Sequence, residues 1–334
     1  MNYPAWQIKT AEPNGEQSLA AMGCGVLLRR VLAARGYDEA AARRLLEPGE
    51  TLSDPFLMRD MDKAVARITQ AIEAEEPIVI YGDYDVDGVT SSHLFLTALR
   101  RVGAKVDVVI PHRIQDGYGL SLHLLQQAKE DGVDTILTCD NGIAAIDEIA
   151  WAKAQKMTVL VTDHHAVPFE EHEGRRTEKK SLADAVVNPH QQDCGYPYKE
   201  LCGAGVAWNV IRVLYENYDM DKREAEDLLD FVAMATVCDV MSLTGENRIL
   251  VKEGLKRIRH TKNIGLQALM QACNVQPENI SAYHFGYVLG PCVNATGRLD
   301  TARHALRLFE TGQETEAEEI ARDLVCLLYT SPSP

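Results

Sequence analysis

Short apolar runs rich in Val or Ile recur through the first two thirds of the chain, at 77–81, 105–110, 134–138, 157–162 and 185–187. Strands buried on both faces of a parallel sheet read this way, because neither face can be polar. Between the runs, apolar residues return at helical spacing near 89–101, 120–130, 144–155 and 203–217. The alternation predicts an α/β fold: an open, mostly parallel sheet with flanking helices. Residues 17–46 read as helical, with Leu19, Leu27, Leu28, Val31, Leu32 and Leu45 at roughly helical spacing. "EPGETLSDPF" (47–56) is a Pro/Gly connector, and 61–74 is an amphipathic helix. Beyond residue 220 the pattern is mostly helical. "EEHEGRRTEKKS" (170–181) reads as a solvated surface loop. The expected division is an N-terminal helical extension (1–55), the α/β domain (56–245), a helical connecting region (246–328) and a tail outside the native fold (329–334).

The bulk properties narrow the class. A chain of 334 residues has room for about two domains. Its 46% hydrophobic and 25% charged residues are those of a globular protein. No apolar run approaches the ~18 residues of a membrane helix, and the start, "MNYPAWQIKT", lacks a secretory layout. The expectation is a cytoplasmic protein with no membrane partner. The eight cysteines (Cys24, Cys139, Cys194, Cys202, Cys238, Cys273, Cys292 and Cys326) are scattered without a C-x-x-C pair, so buried reduced thiols are expected. The net charge of -15 argues against coating nucleic acid by bulk electrostatics, but leaves room for a local basic groove.

Chemistry concentrates where the strands end. The first run is followed by Asp83, Asp85 and Asp87 in "GDYDVDG". The third ends in Asp140-Asn141-Gly142 and the fourth in Asp163-His164-His165. "MATVCDVMSL" adds Asp239 after a helix. A single Asp after a strand is most often a cap or turn residue, and Asp140 with Asn141-Gly142 fits a turn as well as a ligand. Nothing structural requires D-x-D-x-D, however. The run is no EF-hand, since a strand precedes it and no Glu follows six residues after Gly88. Open parallel sheets bind ligands at the carboxyl ends of their strands. Clustered carboxylates are tolerated there when divalent cations neutralise them. Mixed Asp and His donors suit manganese, with magnesium as a substitute, and a pair of ions would hydrolyse a phosphoester.

"GDYDVDG", "TCDNG", "TDHH" and "VCDVMSL", in this order, resemble the four motifs of the DHH phosphoesterase family. "IPHRIQDGYGLS" (110–121), "LCGAGVAW" (201–208) and "GPCVNATGRLDTA" (290–302) resemble its branch of exonucleases specific for single-stranded DNA. The resemblance covers nearly the whole chain. It implies Asp85, Asp87, Asp140, His164 and Asp239 as ligands of two Mn2+ or Mg2+ ions, with Asp87 or Asp140 bridging. It implies His165, Asp83 and Arg298 as catalytic neighbours, and His112, Arg113, Tyr118, Asn294 and Arg298 as substrate contacts. Two positions depart from the family pattern. Tyr81 stands where many members carry His, and Cys292 where the exonuclease branch often carries Arg.

The implied function is 5′-3′ removal of nucleotides from single-stranded DNA in repair and recombination. The implied protein is a monomer, with single-strand-binding protein and a helicase as partners. The alternatives are a DHH phosphodiesterase for oligonucleotides or small nucleotides, and a catalytically inactive nucleic-acid scaffold. The branch carries further domains that do not fit after residue 302. The break of the helical pattern at "LVCLLYTSPSP" therefore reads as a truncation.

Overall fold

The computed structural model describes residues 15–47, 49, 51–112, 119–172, 175–179, 181–298 and 302–330. The chain divides into two compact units, Met1–Leu52 and Ser53–Pro334. In the first unit the predicted helical stretch 17–46 is three helices: α1 (Gly15–Ser18), α2 (Val26–Ala34) and α3 (Glu39–Leu46). Gly23 and Gly36 take left-handed φ values of 67° and 80° and end the preceding turns. Asp38 caps α3 by accepting from the Ala41 N–H at 2.7 Å. Leu19, Leu32, Ala33 and Ala42 are buried, whereas Leu27, Leu28 and Val31 are exposed.

The second unit opens with α4 (Met61–Glu73) and then alternates: β1 (Ile78–Tyr81), α5 (Val86–Arg101), β2 (Val106–Val109), α6 (Leu122–Glu130), β3 (Thr135–Cys139), α7 (Ile146–Ala154), β4 (Thr158–Thr162). A hairpin of β5 (Phe169–His172) and β6 (Arg175–Glu178) precedes β7 (Ala185–Val187). The rest is helical: α8 (Gly203–Asn217), α9 (Lys222–Glu226), α10 (Leu229–Cys238), α11 (Gly245–Arg257), α12 (Ile264–Ala272), α13 (Ala282–His284), α14 (Gly290–Arg298), α15 (Ala302–Glu310) and α16 (Glu314–Thr330). A π-helical turn, Phe285–Leu289, joins α13 to α14.

The sheet order is β2-β1-β3-β4-β7, every pair parallel. β1, β3 and β7 are wholly buried; β1 and β7 are unbroken apolar runs, and β3 adds the buried Thr135 and Thr138. Alternate residues face opposite layers. Val79, Tyr81, Ile136, Val159 and Val161 pack with Leu125, Ile149 and Ala152 of α6 and α7. The other face lies against α5 and α8. Burying each such side chain contributes roughly 1.5–3 kcal/mol. Tyr81 is therefore a core residue of the α6/α7 face.

Two expectations fail. The charged stretch 170–181 is not a plain loop, because its first part pairs antiparallel, Phe169 opposite Glu178. The Arg176 guanidinium lies 4.4 Å from the Phe169 ring centroid, so a cation–π contact adds to the pairing of a ribbon that composition alone assigns to water. The thiols are free, as expected, but only Cys139, Cys202 and Cys292 are buried, and Cys326 is exposed.

Candidate metal centre

The carboxyl ends of the central strands are extended by backbone bonds beyond the ladder. The Gly82 N–H donates to the Val109 carbonyl, Asp140 to Thr162 and Asp163 to Val187, each at 3.1 Å. The loops that leave the sheet therefore start from fixed positions. Asp85 is the N-cap of α5 and accepts from the Gly88 N–H at 3.0 Å. Asp87, within the first turn, is buried, and its carboxylate spans the start of α8. Oδ2 accepts from the Gly203 N–H at 2.6 Å and Oδ1 from Ala204 at 2.8 Å. Two unsatisfied helix N–H groups and the positive end of the α8 dipole thus hold one acid.

Asp140 follows β3 with φ at 60°, a left-handed conformation that Asp tolerates better than most residues. Asn141 fixes the turn by donating from Nδ2 to the Tyr81 and Cys139 carbonyls, both at 3.1 Å. Gly142, at φ 103°, completes it; a Cβ there would meet Thr138 Oγ1 at 2.7 Å. A Cβ on Gly203 would lie 2.6 Å from the Asp140 Cβ, so only glycine lets α8 approach this acid.

His164 and His165 leave β4, and Asp239 is the C-cap of α10. His164 Nε2 lies 3.1 Å from Asp140 Oδ1, 3.6 Å from Asp87 Oδ2 and 3.6 Å from Asp239 Oδ2. Three groups each bring their donor atoms within 4.8 Å of one another: Asp140, His164 and His165; Asp87, His164 and Asp239; Asp83, Asp85 and Asp140. Asp83, Asp85, Asp87, Asp140, His164, His165 and Asp239 are thus neighbours. Asp85 and Asp87 belong to a helix start and Asp239 to a helix end, so strand ends alone do not build the site.

Crowded acids in a dry site resist ionisation. Burial, then the Asp85 charge, pushes Asp83 up to about 7. Burial with Asp87 and Asp85 nearby takes Asp239 to about 7. Asp140 is held well above the usual carboxylate range for the same reasons, and Asp85 is raised by burial and Asp87. Asp140 Oδ1 and His164 Nε2 are buried and, though 3.1 Å apart, form no aligned hydrogen bond with each other or with other described residues. Oxygen donors in excess, two imidazoles, orphaned polar atoms and repelling carboxyls form a donor set that fits divalent cations.

Asp163, which the motif reading left without a role, orients the histidine pair. Its Oδ1 accepts from the backbone N–H groups of His164 at 2.7 Å and His165 at 3.0 Å, and its Oδ2 from Ile143 at 2.9 Å. His165 Nδ1 lies 2.8 Å from the same Oδ1. That bond raises His165 to about 9 against partial burial. Burial pushes Asp163 up, but the bonds from His165 and the backbone outweigh it and hold the carboxyl below its ordinary value. The only sequence signal for Asp163 was its place before the pair in "TDHH".

The outer residues divide. Asn294 of α14 accepts from the Val86 N–H at 3.0 Å and so braces the first turn of α5. His112 is half-buried just after β2. Arg113 and Tyr118 lie outside the described residues, as does the Arg298 side chain.

A twisted parallel sheet with carboxylates and histidines gathered at its carboxyl rim defines an α/β protein built to hold cations. The description "DHH family, N-terminal domain" matches residues 77–236. The RecJ single-stranded-DNA-specific exonuclease of Bacillus subtilis is 36% identical over 322 residues, 96% of this chain and 39% of that protein. The RecJ of Haemophilus influenzae is 37% identical over 308 residues, 89% of this chain and 52% of that protein. A crystal structure of exonuclease RecJ bound to manganese is 31% identical with a TM-score of 0.72, covering 84% of this chain and 68% of that one. The Thermus thermophilus RecJ in complex with Mn2+ superposes with a TM-score of 0.77 at 28% identity, over 96% of this chain and 44% of that one. The chain belongs to the DHH family. It spans about half or less of the length of these curated relatives.

Proposed function

We propose that this chain is the catalytic portion of a single-strand-specific DNA exonuclease that hydrolyses phosphodiester bonds from the 5′ end with two manganese or magnesium ions. The catalytic domain is 56–245, and 246–328 connects it while presenting "GPCVNATGRLD". In this reading Asp85, Asp87, Asp140, His164 and Asp239 hold the ions, with Asp87 or Asp140 shared between them. The ions supply an activated water and positive charge against the scissile phosphate. Asp87 is held in place by the Gly203 and Ala204 N–H groups, with its Oδ2 3.6 Å from His164 Nε2. His165, protonated below about pH 9, offers a positive N–H to a phosphate oxygen while Asp163 fixes its ring. In this reading Arg298, Arg113, His112, Tyr118 and Asn294 are the residues that contact the substrate strand. In this reading the setting is the cytoplasm. No described helix is long and apolar enough to span a membrane. The protein acts as a monomer alongside single-strand-binding protein and a helicase.

The observation that carries the reading is the meeting of three aspartates around His164 within 3.6 Å, in a chain so similar to RecJ exonucleases. The test is digestion of end-labelled single-stranded and duplex DNA with manganese, with magnesium and with chelator. Metal-dependent release of nucleotides from the 5′ end of single strands is expected. Binding without cleavage under every metal would replace the reading with a scaffold, and cleavage confined to short oligonucleotides would replace it with a small-substrate phosphodiesterase.

A further inference from the structure

Away from the metal centre, two cysteines distant in sequence come face to face. Cys273 caps the C-terminus of α12, Cys292 lies in the first turn of α14, and their Sγ atoms are 3.7 Å apart. Cys292 is buried and its thiol lies 3.3 Å from the Val288 carbonyl, whereas Cys273 is half-buried and reachable from solvent. α16 packs against both helices and keeps the pair in register. Two residues beyond Cys292 the same helix carries Asn294, which braces the start of α5.

We propose that Cys273 and Cys292 are a redox-active pair that closes to a disulfide when the protein meets a peroxide. Cys273 is the attacking thiol, because it is the accessible member. The contact between the two sulfurs favours the Cys273 thiolate and lowers its pKa, while the same contact and burial raise that of Cys292. The thiolate sulfur bonds to one peroxide oxygen as the O–O bond breaks, giving a sulfenic acid on Cys273 and, with one proton, water. The Cys292 sulfur then bonds to the Cys273 sulfur as the S–O bond breaks, and the departing hydroxide takes the Cys292 proton as a second water. Two thiols lose two electrons and two protons, and one peroxide becomes two waters. The gap closes by side-chain rotation and a small approach of α12 to α14, toward the ~2.05 Å of a sulfur–sulfur bond. The ring so formed encloses α13 and the π-helical turn, and loop closure of this kind restricts the unfolded chain.

The experiment treats the reduced chain with increasing hydrogen peroxide, blocks remaining thiols by alkylation, and maps peptides under non-reducing conditions. The expected result is a linked peptide pair containing Cys273 and Cys292, with a higher melting temperature and slower proteolysis between residues 273 and 292, all reversed by dithiothreitol. In Cys273→Ser the linked pair and the shift in melting temperature disappear. In Cys292→Ser, Cys273 oxidises without cross-linking, which tests the roles independently of any folding defect in the first variant. Sulfinic acid on Cys273 with Cys292 still alkylatable would overturn the proposal. So would oxidation of the exposed Cys326 while both partners stay reduced.

Discussion

Asp163 Oδ1 lies 2.8 Å from Nδ1 of His165, and the same oxygen accepts the backbone N–H groups of His164 and His165. One buried carboxylate thus sets both the direction of the histidine pair and the charge of its outer member. Asp140, on the neighbouring strand end, faces the pair from a left-handed backbone.

Replacing Asp163 by Asn separates these tasks. The His165 pKa is raised from 6.5 to about 9 in the fold, so its contribution to stability is full below 6.5 and is lost as pH rises through about 9. In Asp163→Asn the His165 titration, followed by NMR of the imidazole, returns toward its ordinary value. The alkaline limb of metal-dependent cleavage moves down with it. One of the two backbone-accepting oxygens also becomes a donor, which costs about 1–3 kcal/mol in denaturant unfolding. An unchanged titration would show that Asp163 does not govern His165.

The carboxylate cluster makes the metal-free fold sensitive to alkali. Asp83 and Asp239 titrate at about 7 and Asp85 and Asp140 are also raised, against an ordinary value of 3.8. A folded pKa above the unfolded one means that this stability is complete below 3.8 and lost as pH rises through about 7. With chelator present, the melting temperature should therefore fall between roughly pH 4 and pH 7 and level off above it. Manganese at ~100 times its dissociation constant should add about 2.7 kcal/mol. The gain should grow with pH, because protons compete for the same oxygens. Identical midpoints with manganese and with chelator at neutral pH would argue that no ion binds.

Asp140→Asn is the sharper test of the shared ligand. Asn tolerates the left-handed backbone at this turn, whereas Ala adds strain of roughly 1–2 kcal/mol. The Asn variant should melt near the parent in chelator, or above it, since one repelling charge is gone. It should cleave single-stranded DNA at least ~100-fold more slowly, beyond what loss of an outer-shell partner costs. Parent-like cleavage would move the bridging role to Asp87.

Gly203→Ala probes the close approach of α8. The added methyl would sit 2.6 Å from the Asp140 Cβ and 2.9 Å from Oδ1. Either Asp140 shifts or α8 backs away and loosens its two bonds to Asp87. We expect a loss of ~1–3 kcal/mol by chemical denaturation, with weaker manganese affinity by calorimetry. Gly205→Ala, where a Cβ meets Leu201 at only 3.4 Å, serves as the mild control.

Much of this was legible in order along the chain. The apolar run at 77–81 is β1 (Ile78–Tyr81), and 185–187 is β7 to the residue, because a strand buried on both faces needs apolar side chains at consecutive positions. The predicted helix 89–101 begins earlier, at Val86. Asp85 spends its carboxylate on capping that helix, a local bond that periodicity cannot register. The residue types needed to hold cations were legible too, since capping accounts for one aspartate of D-x-D-x-D and not for three.

Meetings between distant segments were decided by tertiary packing. Whether Asp239, at the end of α10, reaches His164 depends on how that helix lies across the sheet. Nothing local in "GAG" shows that its N–H groups hold Asp87, 116 and 117 residues earlier in the chain. Cys273 and Cys292 look isolated in sequence and lie 3.7 Å apart because α12 and α14 share α16 as a neighbour. Propensity and patterning act over a few residues, so the sequence by itself determined the strands, the helices and the kinds of donor at the rim. Distances between side chains are set by packing across the core, so only the tertiary structure decided which of those donors share one space.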